Sequence, residues 1–300
     1  MTSAVLWTIG GLLVGVVSPP LLRRAVRRGA DAATLLIVWA ILVCVTVIAI
    51  ALPLVTKLIH GCWLSPGAGL PSWVDAFAGM LSGAAVAVAV ARGVWQLVCT
   101  RRHRRSLHAR HIELAWLLDG KAPRAGSVLW LPTTEPHAYS LAGKPPLIVM
   151  SVGLRECLGQ GAVSAVRSHE KAHIHRRHHV FIAVAQALSA GLGWLPLTRQ
   201  SPSLVRTLIE VDADAHAACV HGSWPVQQAI HTLRHATAPA VSLGFAAECA
   251  QLRLARLATH SPDGALRRPR SAAAGTAMMI GSVLTFAALL LASGLVSCGP

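Results

Sequence analysis

The amino-acid sequence predicts a mainly α protein in which membrane-crossing helices flank one α+β domain that carries a His-Glu-x-x-His run on a helix. Three observations lead there. Apolar residues make up 54% of the 300-residue chain and charged residues only 13%, about half the charge fraction of an ordinary globular protein. Long uncharged runs occupy the first hundred residues and the last thirty. Between them, residues 101–270 form a more polar stretch of domain size. A soluble fold would have too few charges to cover its surface here, and disorder is excluded by the apolar content.

The spans follow in order. Ser3 to Leu22 carries no charge and is long enough to cross a ~30 Å hydrocarbon layer. Arg23, Arg24, Arg27 and Arg28 come after it, whereas a secretory leader has its positive charge before the apolar run, so an uncleaved span is expected. Ala32 to Thr56 is the second. Trp63 and Trp73 in the connection 57–75 suit a membrane interface. The third runs from Ala76 to near Thr100, with Arg92 able to snorkel toward Arg101, Arg102, Arg104 and Arg105. A last span is expected within Ser271–Pro300, after Arg267, Arg268 and Arg270. The positive-inside rule then makes the clusters at 23–28, 101–110 and 267–270 cytoplasmic, and loop 57–75 and both termini external. The expected organisation is three spans in 1–100, a cytoplasmic catalytic domain in 101–270 and a C-terminal span in 271–300, as a multi-pass protein of the cell membrane.

The net charge is +15, from 27 Lys+Arg against 12 Asp+Glu. Its Arg clusters lie beside apolar runs, which points to the lipid bilayer as partner and to no direct nucleic-acid binding. Seven cysteines, at 44, 62, 99, 157, 219, 249 and 299, include no C-x-x-C pair. Neither a disulfide framework nor a thiolate metal site is encoded.

Within 101–270 the pattern gives a helix at Ile112–Leu118, then strands at Ser127–Leu131, His137–Leu141 and Pro146–Ser151. Helices are expected over Gly161–His179 and Ser203–Val220. Val180–Thr198 is uncharged and nearly long enough to span. A full crossing would part the domain across the membrane, and Gly191, Gly193 and Pro196 interrupt a helix, so a membrane-embedded or surface-dipping hairpin is expected.

Ser168-His169-Glu170-Lys171-Ala172-His173 matches H-E-x-x-H. Histidines at i and i+4 leave one helix face a turn apart, so both rings can reach one tetrahedral Zn²⁺. Glu170 can reach a water at the metal's open position and serve as general base. A catalytic zinc needs a third protein ligand. Glu210 and Asp214 sit four residues apart on a later helix, where like charges repel unless a cation joins them. Glu210 is expected as the third ligand, with Asp214 orienting a ligand histidine. His175, His178 and His179, beside Arg176 and Arg177, are expected in an interfacial basic belt. Asp212 is expected at the surface, and His216 away from the metal.

The chain resembles the membrane zinc peptidases of the BlaR1/MecR1 type, peptidase family M56. The resemblance runs through the N-terminal spans, Ala138–Gly143, Pro146–Leu154, His169–His173, the apolar helix ending Trp194-Leu195-Pro196, Glu210-x-x-x-Asp214 and the final span. It implies a zincin-like catalytic domain in which His169, His173 and Glu210 bind zinc and Glu170 is the base. It implies that the strand before the active-site helix is an edge to which a substrate peptide adds. By family analogy the substrate is a BlaI-like winged-helix repressor, and a homodimer is compatible. Two departures are expected to matter: no penicillin-binding domain follows the last span, and His178 stands where relatives carry an acidic residue. The runner-up is a membrane quality-control protease of the HtpX type. A non-catalytic receptor or scaffold with a structural zinc is a third reading. The intact Glu170 argues against it, because a structural site has no use for a base.

Overall fold

A computed structural model describes residues 2–60, 72–120, 123–236 and 243–258. The expected final span 271–300 and the loop residue Trp63 lie outside them. The described residues fall into two compact units, 2–97 with 185–204, and 98–184 with 205–258.

In the first unit, α1 (Thr2–Arg27) and α2 (Ala32–His60) pair, and Asp31 caps α2 by accepting the Thr34 N–H at 2.9 Å. Among the described residues, three helical stretches are long and apolar enough to cross a membrane: Ile9–Arg27, Ala32–Ala51 and Gly83–Leu118. The last lies in α3 (Ser72–Asp119), which runs unbroken for 48 residues. The separate helix expected at Ile112–Leu118 is therefore the end of α3. The Arg-rich stretch after Thr100 contains neither Pro nor Gly, and arginine is a good helix former, so nothing stops the helix there.

Residues 185–204 group with these apolar helices. They comprise the end of α6 (His178–Gly191), a turn and the start of α7 (Pro196–His221), over the uncharged segment. Its contact with α3 uses two facing small pairs, Ala89/Gly93 and Ala187/Gly191. A Cβ added to Gly191 would lie 2.5 Å from the Ala89 carbonyl oxygen, and one on Gly93 would lie 3.3 Å from that of Ala187. Small residues four apart let helix backbones approach this closely, as in membrane helix pairs. Trp39 Nε1 donates to Ser201 Oγ at 2.8 Å, which ties α2 to α7.

The second unit is built on a three-stranded sheet of order β1-β3-β2. β1 (Val128–Leu131) runs parallel to β3 (Leu147–Ser151), and β2 (Ala138–Leu141) antiparallel to it, with Ser140 opposite Ile148. The strands thus match the expected ones to within a residue, but β3 is the central strand. Its backbone is paired on both sides, so it cannot be the edge that accepts a peptide; β2 is an edge instead. Every residue of β3 is buried because both faces are covered. On one face Ile148 and Met150 pack with Leu154 of α4 (Val152–Cys157), Val166 of α5 (Gln160–His175) and Ala229 of α8 (Ser223–Ala236). On the other, Val149, Leu129 and Tyr139 meet Ala115 of α3. A second apolar cluster, including Ala165, Ala217, Ile230 and Leu257, joins α5, α7, α8 and α9 (Leu243–Ala258).

The helix expected over 161–179 is in fact two. α5 ends at His175, Arg176 caps it, and Arg177 takes a left-handed φ of 52°. That conformation is uncommon for a residue with a Cβ, and it turns the chain so that α6 starts at His178.

Candidate metal centre

The site is built from α5 upward. Ala162, Ala165, Val166 and Ala172 bury one stripe of α5, and His169 and Glu170 lie on its border with the cleft. His169 and His173, one turn apart, point their Nε2 atoms at each other at 3.1 Å. From α7, Glu210 brings Oε2 to 3.4 Å from His169 Nε2 and Oε1 to 3.6 Å from His173 Nε2. These three residues form a potential cation-binding group, their donor atoms all within 4.8 Å of one another.

The spacing is compatible with a metal. In a tetrahedron with bonds of 2.0–2.1 Å, ligand atoms stand about 3.3–3.4 Å apart; the two imidazole nitrogens are 3.1 Å apart, and each has a different oxygen of the Glu210 carboxylate at 3.4 or 3.6 Å. The tautomers fit as well. His169 Nδ1 donates to Asp214 Oδ1 at 3.0 Å. His173 Nδ1 donates to His178 Nδ1 at 2.9 Å, and His178 Nε2 donates to Asp212 Oδ2 at 3.0 Å. With both Nδ1 atoms protonated, each Nε2 presents a lone pair to the centre. Two such lone pairs 3.1 Å apart beside a carboxylate repel one another unless a cation lies among them.

The electrostatics agree. Burial disfavours the charged form of both histidines. At His169 the hydrogen bonds and charges of Asp214 and Glu210 outweigh it and push the pKa up to about 10. At His173 burial prevails over the attraction of Glu210, helped by His169 and His178, and the pKa falls to about 4. The pocket thus favours one positive charge, for which a proton on His169 and a metal ion compete. Burial would raise Glu210, but the Arg253 charge and the His169 hydrogen bond hold it well below the usual carboxylate range. Glu170 goes the other way: burial raises it, opposed by the His169 charge and a hydrogen bond from Ser140.

Two expectations are corrected. His178 is not part of a basic belt; it is 2% exposed and holds His173. Asp212 is not a surface residue; it is buried, and Arg176 and His178 both bind its carboxylate. Arg253 was not foreseen from the sequence. From α9 it gives Asp214 two bonds, of 2.6 and 2.8 Å, and reaches Glu210 at 3.1 Å. The one signal for it was an arginine placed among the apolar positions of an amphipathic helix. His216 pairs with none of the three donor residues among the described contacts.

The centre opens on a cleft of about 740 Å³, walled on one side by Pro136 to Ser140 at the β2 edge and on others by Arg206, Ile230 and Arg253. A helix-borne His-Glu-x-x-His, a glutamate from a later helix and an edge strand beside them define the class: an α+β metallopeptidase domain. The model of peptidase family M48 matches residues 101–258, more than half of the chain, and the chain belongs to that family. The plastoglobule-localized metallopeptidase 48, chloroplastic, of Arabidopsis thaliana is 34% identical over 106 residues, 35% of this chain and 29% of the relative. The chain thus spans under a third of that relative's length. No solved structure matches. The family is M48 where the residue pattern resembled M56, and the HtpX-type alternative lies closer to it.

Proposed function

We propose that the chain is an integral-membrane zinc endopeptidase that cleaves a protein at or near the cytoplasmic membrane surface, in the manner of a quality-control protease. The observation that supports this most is the convergence of two imidazole nitrogens and a carboxylate within 4.8 Å of one another, next to the buried Glu170, which is outside that group. His169, His173 and Glu210 hold the zinc. When bound, zinc supplies Lewis acidity toward a peptide carbonyl and lowers the pKa of a water. Glu170 takes the proton of the attacking water and returns it to the leaving amine; its raised pKa makes it a stronger base for the first transfer. Ser140 orients Glu170, and the free edge of β2 aligns the substrate backbone. Asp214 and Arg253 hold His169 and Glu210 in place, and His178 and Asp212 hold His173.

Repressor cleavage rested on the M56 resemblance, and membership in M48 favours quality control over it. A purely structural metal site would leave the glutamate at 170 without a role.

The test uses the purified full chain in detergent, with zinc measured per chain and casein as substrate. Glu170→Gln is expected to keep stoichiometric zinc and to lose about 10²–10⁴-fold in cleavage rate. Normal cleavage by the variant, or loss of its metal, would show that the role is wrong.

A further inference from the structure

A second, smaller cavity of about 230 Å³ adjoins the metal centre. It shares Ser140, His173 and Ile182 with the main cleft and continues past Ser140 to Ala142, along the line of β2. Arg104 is its charged group. His173, His178 and His179 line it as well, and no carboxylate does among the described residues; the main cleft holds Glu170, Glu210 and Asp214. His178 has both ring nitrogens engaged, by His173 and Asp212. Arg104 gives one bond, from Nη1 to the His179 carbonyl at 3.3 Å, and a guanidinium has five N–H donors. His179 Nδ1 is buried with no hydrogen-bond partner among the described residues, and buried polar atoms rarely stay unpaired.

We propose that this cavity is a specificity subsite for an acidic side chain of a peptide lying along β2, with Arg104 as its charged partner and His179 as a second polar contact. The proposal rests on the peptidase reading. It also fixes a position. Ser140, bonded to Glu170, marks the reacting centre, and Ala142 is two residues further at ~3.3 Å per strand residue. The preferred acidic residue therefore lies two or three residues from the scissile bond, on one side only.

The probe is a panel of peptides of one length, with Glu or Gln scanned across three positions on each side of the bond. Cleavage is read with the unaltered chain and binding with Glu170→Gln, which needs no turnover. Glu at one position is expected to bind and react about tenfold better than Gln, the scale of a charge-assisted hydrogen bond. Arg104→Gln should bring that Glu-to-Gln ratio close to one while zinc content stays the same, Arg104→Lys should keep part of it, and His179→Ala should reduce it. Cleavage without acidic preference, or a preference untouched by Arg104→Gln, overturns the subsite and leaves the peptidase standing. If no peptide is cleaved, the peptidase reading falls, and the binding ratio still decides whether the cavity takes an acidic group. A cavity that serves a lipid phosphate would instead show unchanged peptide ratios and weaker binding of short-chain phosphatidylglycerol by Arg104→Gln in detergent, and that result also overturns the proposal.

Discussion

His173 is held by another histidine where a carboxylate usually stands, and the negative charge comes one step later, at Asp212. Removing the middle of this relay leaves the His173 Nδ1 proton without an acceptor, and its ring free to turn. His178→Ala is expected to weaken zinc binding by ~10–100-fold, the usual cost of losing a ligand's hydrogen-bond partner. Asp212→Asn should do less, since an amide oxygen can still accept from His178. Competition against a chromophoric chelator reads both, and wild-type affinity in His178→Ala would remove the relay from the mechanism. The same assay ranks the other side of the centre. Glu210→Ala should lose zinc on mild dialysis, Asp214→Asn should retain more, and His216→Ala should match the unaltered chain. Retention in Glu210→Ala together with loss in His216→Ala would mean the third ligand lies elsewhere. At this scale the sequence revealed what a single helix turn encodes, namely His169, Glu170 and His173 and the Glu210/Asp214 spacing. It hid His178 because the break at 176–177 involves two arginines and no Gly or Pro. It hid Arg253 because α9 reaches the site only through tertiary packing.

The elements show which patterns carry over into packing. Period-two strands bounded by Pro and Gly were legible to within a residue, yet their order in the sheet was not, because β3 pairs with both neighbours through contacts far apart in the chain. The helix carrying the third span runs on beyond the expected span end, to Asp119, because the run of arginines changes polarity without changing helix propensity. The break between α6 and α7 was legible from Gly191, Gly193 and Pro196, but the close contact of this segment with α3 was not. That contact makes a prediction. Gly191→Val should clash with the Ala89 carbonyl, which belongs to backbone and cannot move aside, and overpacking of this kind costs ~1–3 kcal/mol. Gly83→Val on the same α3 has nothing within 4 Å of its new Cβ and should be neutral. Thermal unfolding of both variants in detergent makes the comparison, and equal melting temperatures would show that the close approach contributes nothing.

For the whole molecule the decisive quantity is the length of α3. Forty-eight residues at 1.5 Å rise make about 72 Å of helix, more than twice the ~30 Å of hydrocarbon it has to cross. The charges decide which part is inside lipid. Between Asp75 and Arg101 the only charged residue is Arg92, while Arg101, Arg102, Arg104, Arg105 and Arg110 follow within ten positions. The membrane portion is therefore expected to end near Thr100, and the later part of the same helix packs on the sheet, Ala115 against Tyr139. An arginine cluster within ~15–20 residues of a span end tends to stay on the cytoplasmic side, so the sheet, the metal centre and its cleft are expected on that side. A reporter fused after Thr100, or before Ser271, is expected to give a cytoplasmic signal, and one inserted within 60–72 an external signal. Replacing Arg101, Arg102, Arg104 and Arg105 with Gln should raise the fraction of inverted molecules, because the same apolar helix then lacks its main orienting charge. An external signal at Thr100 in the unaltered chain would put the peptidase centre on the opposite face of the membrane, and with it the pool of proteins it can reach.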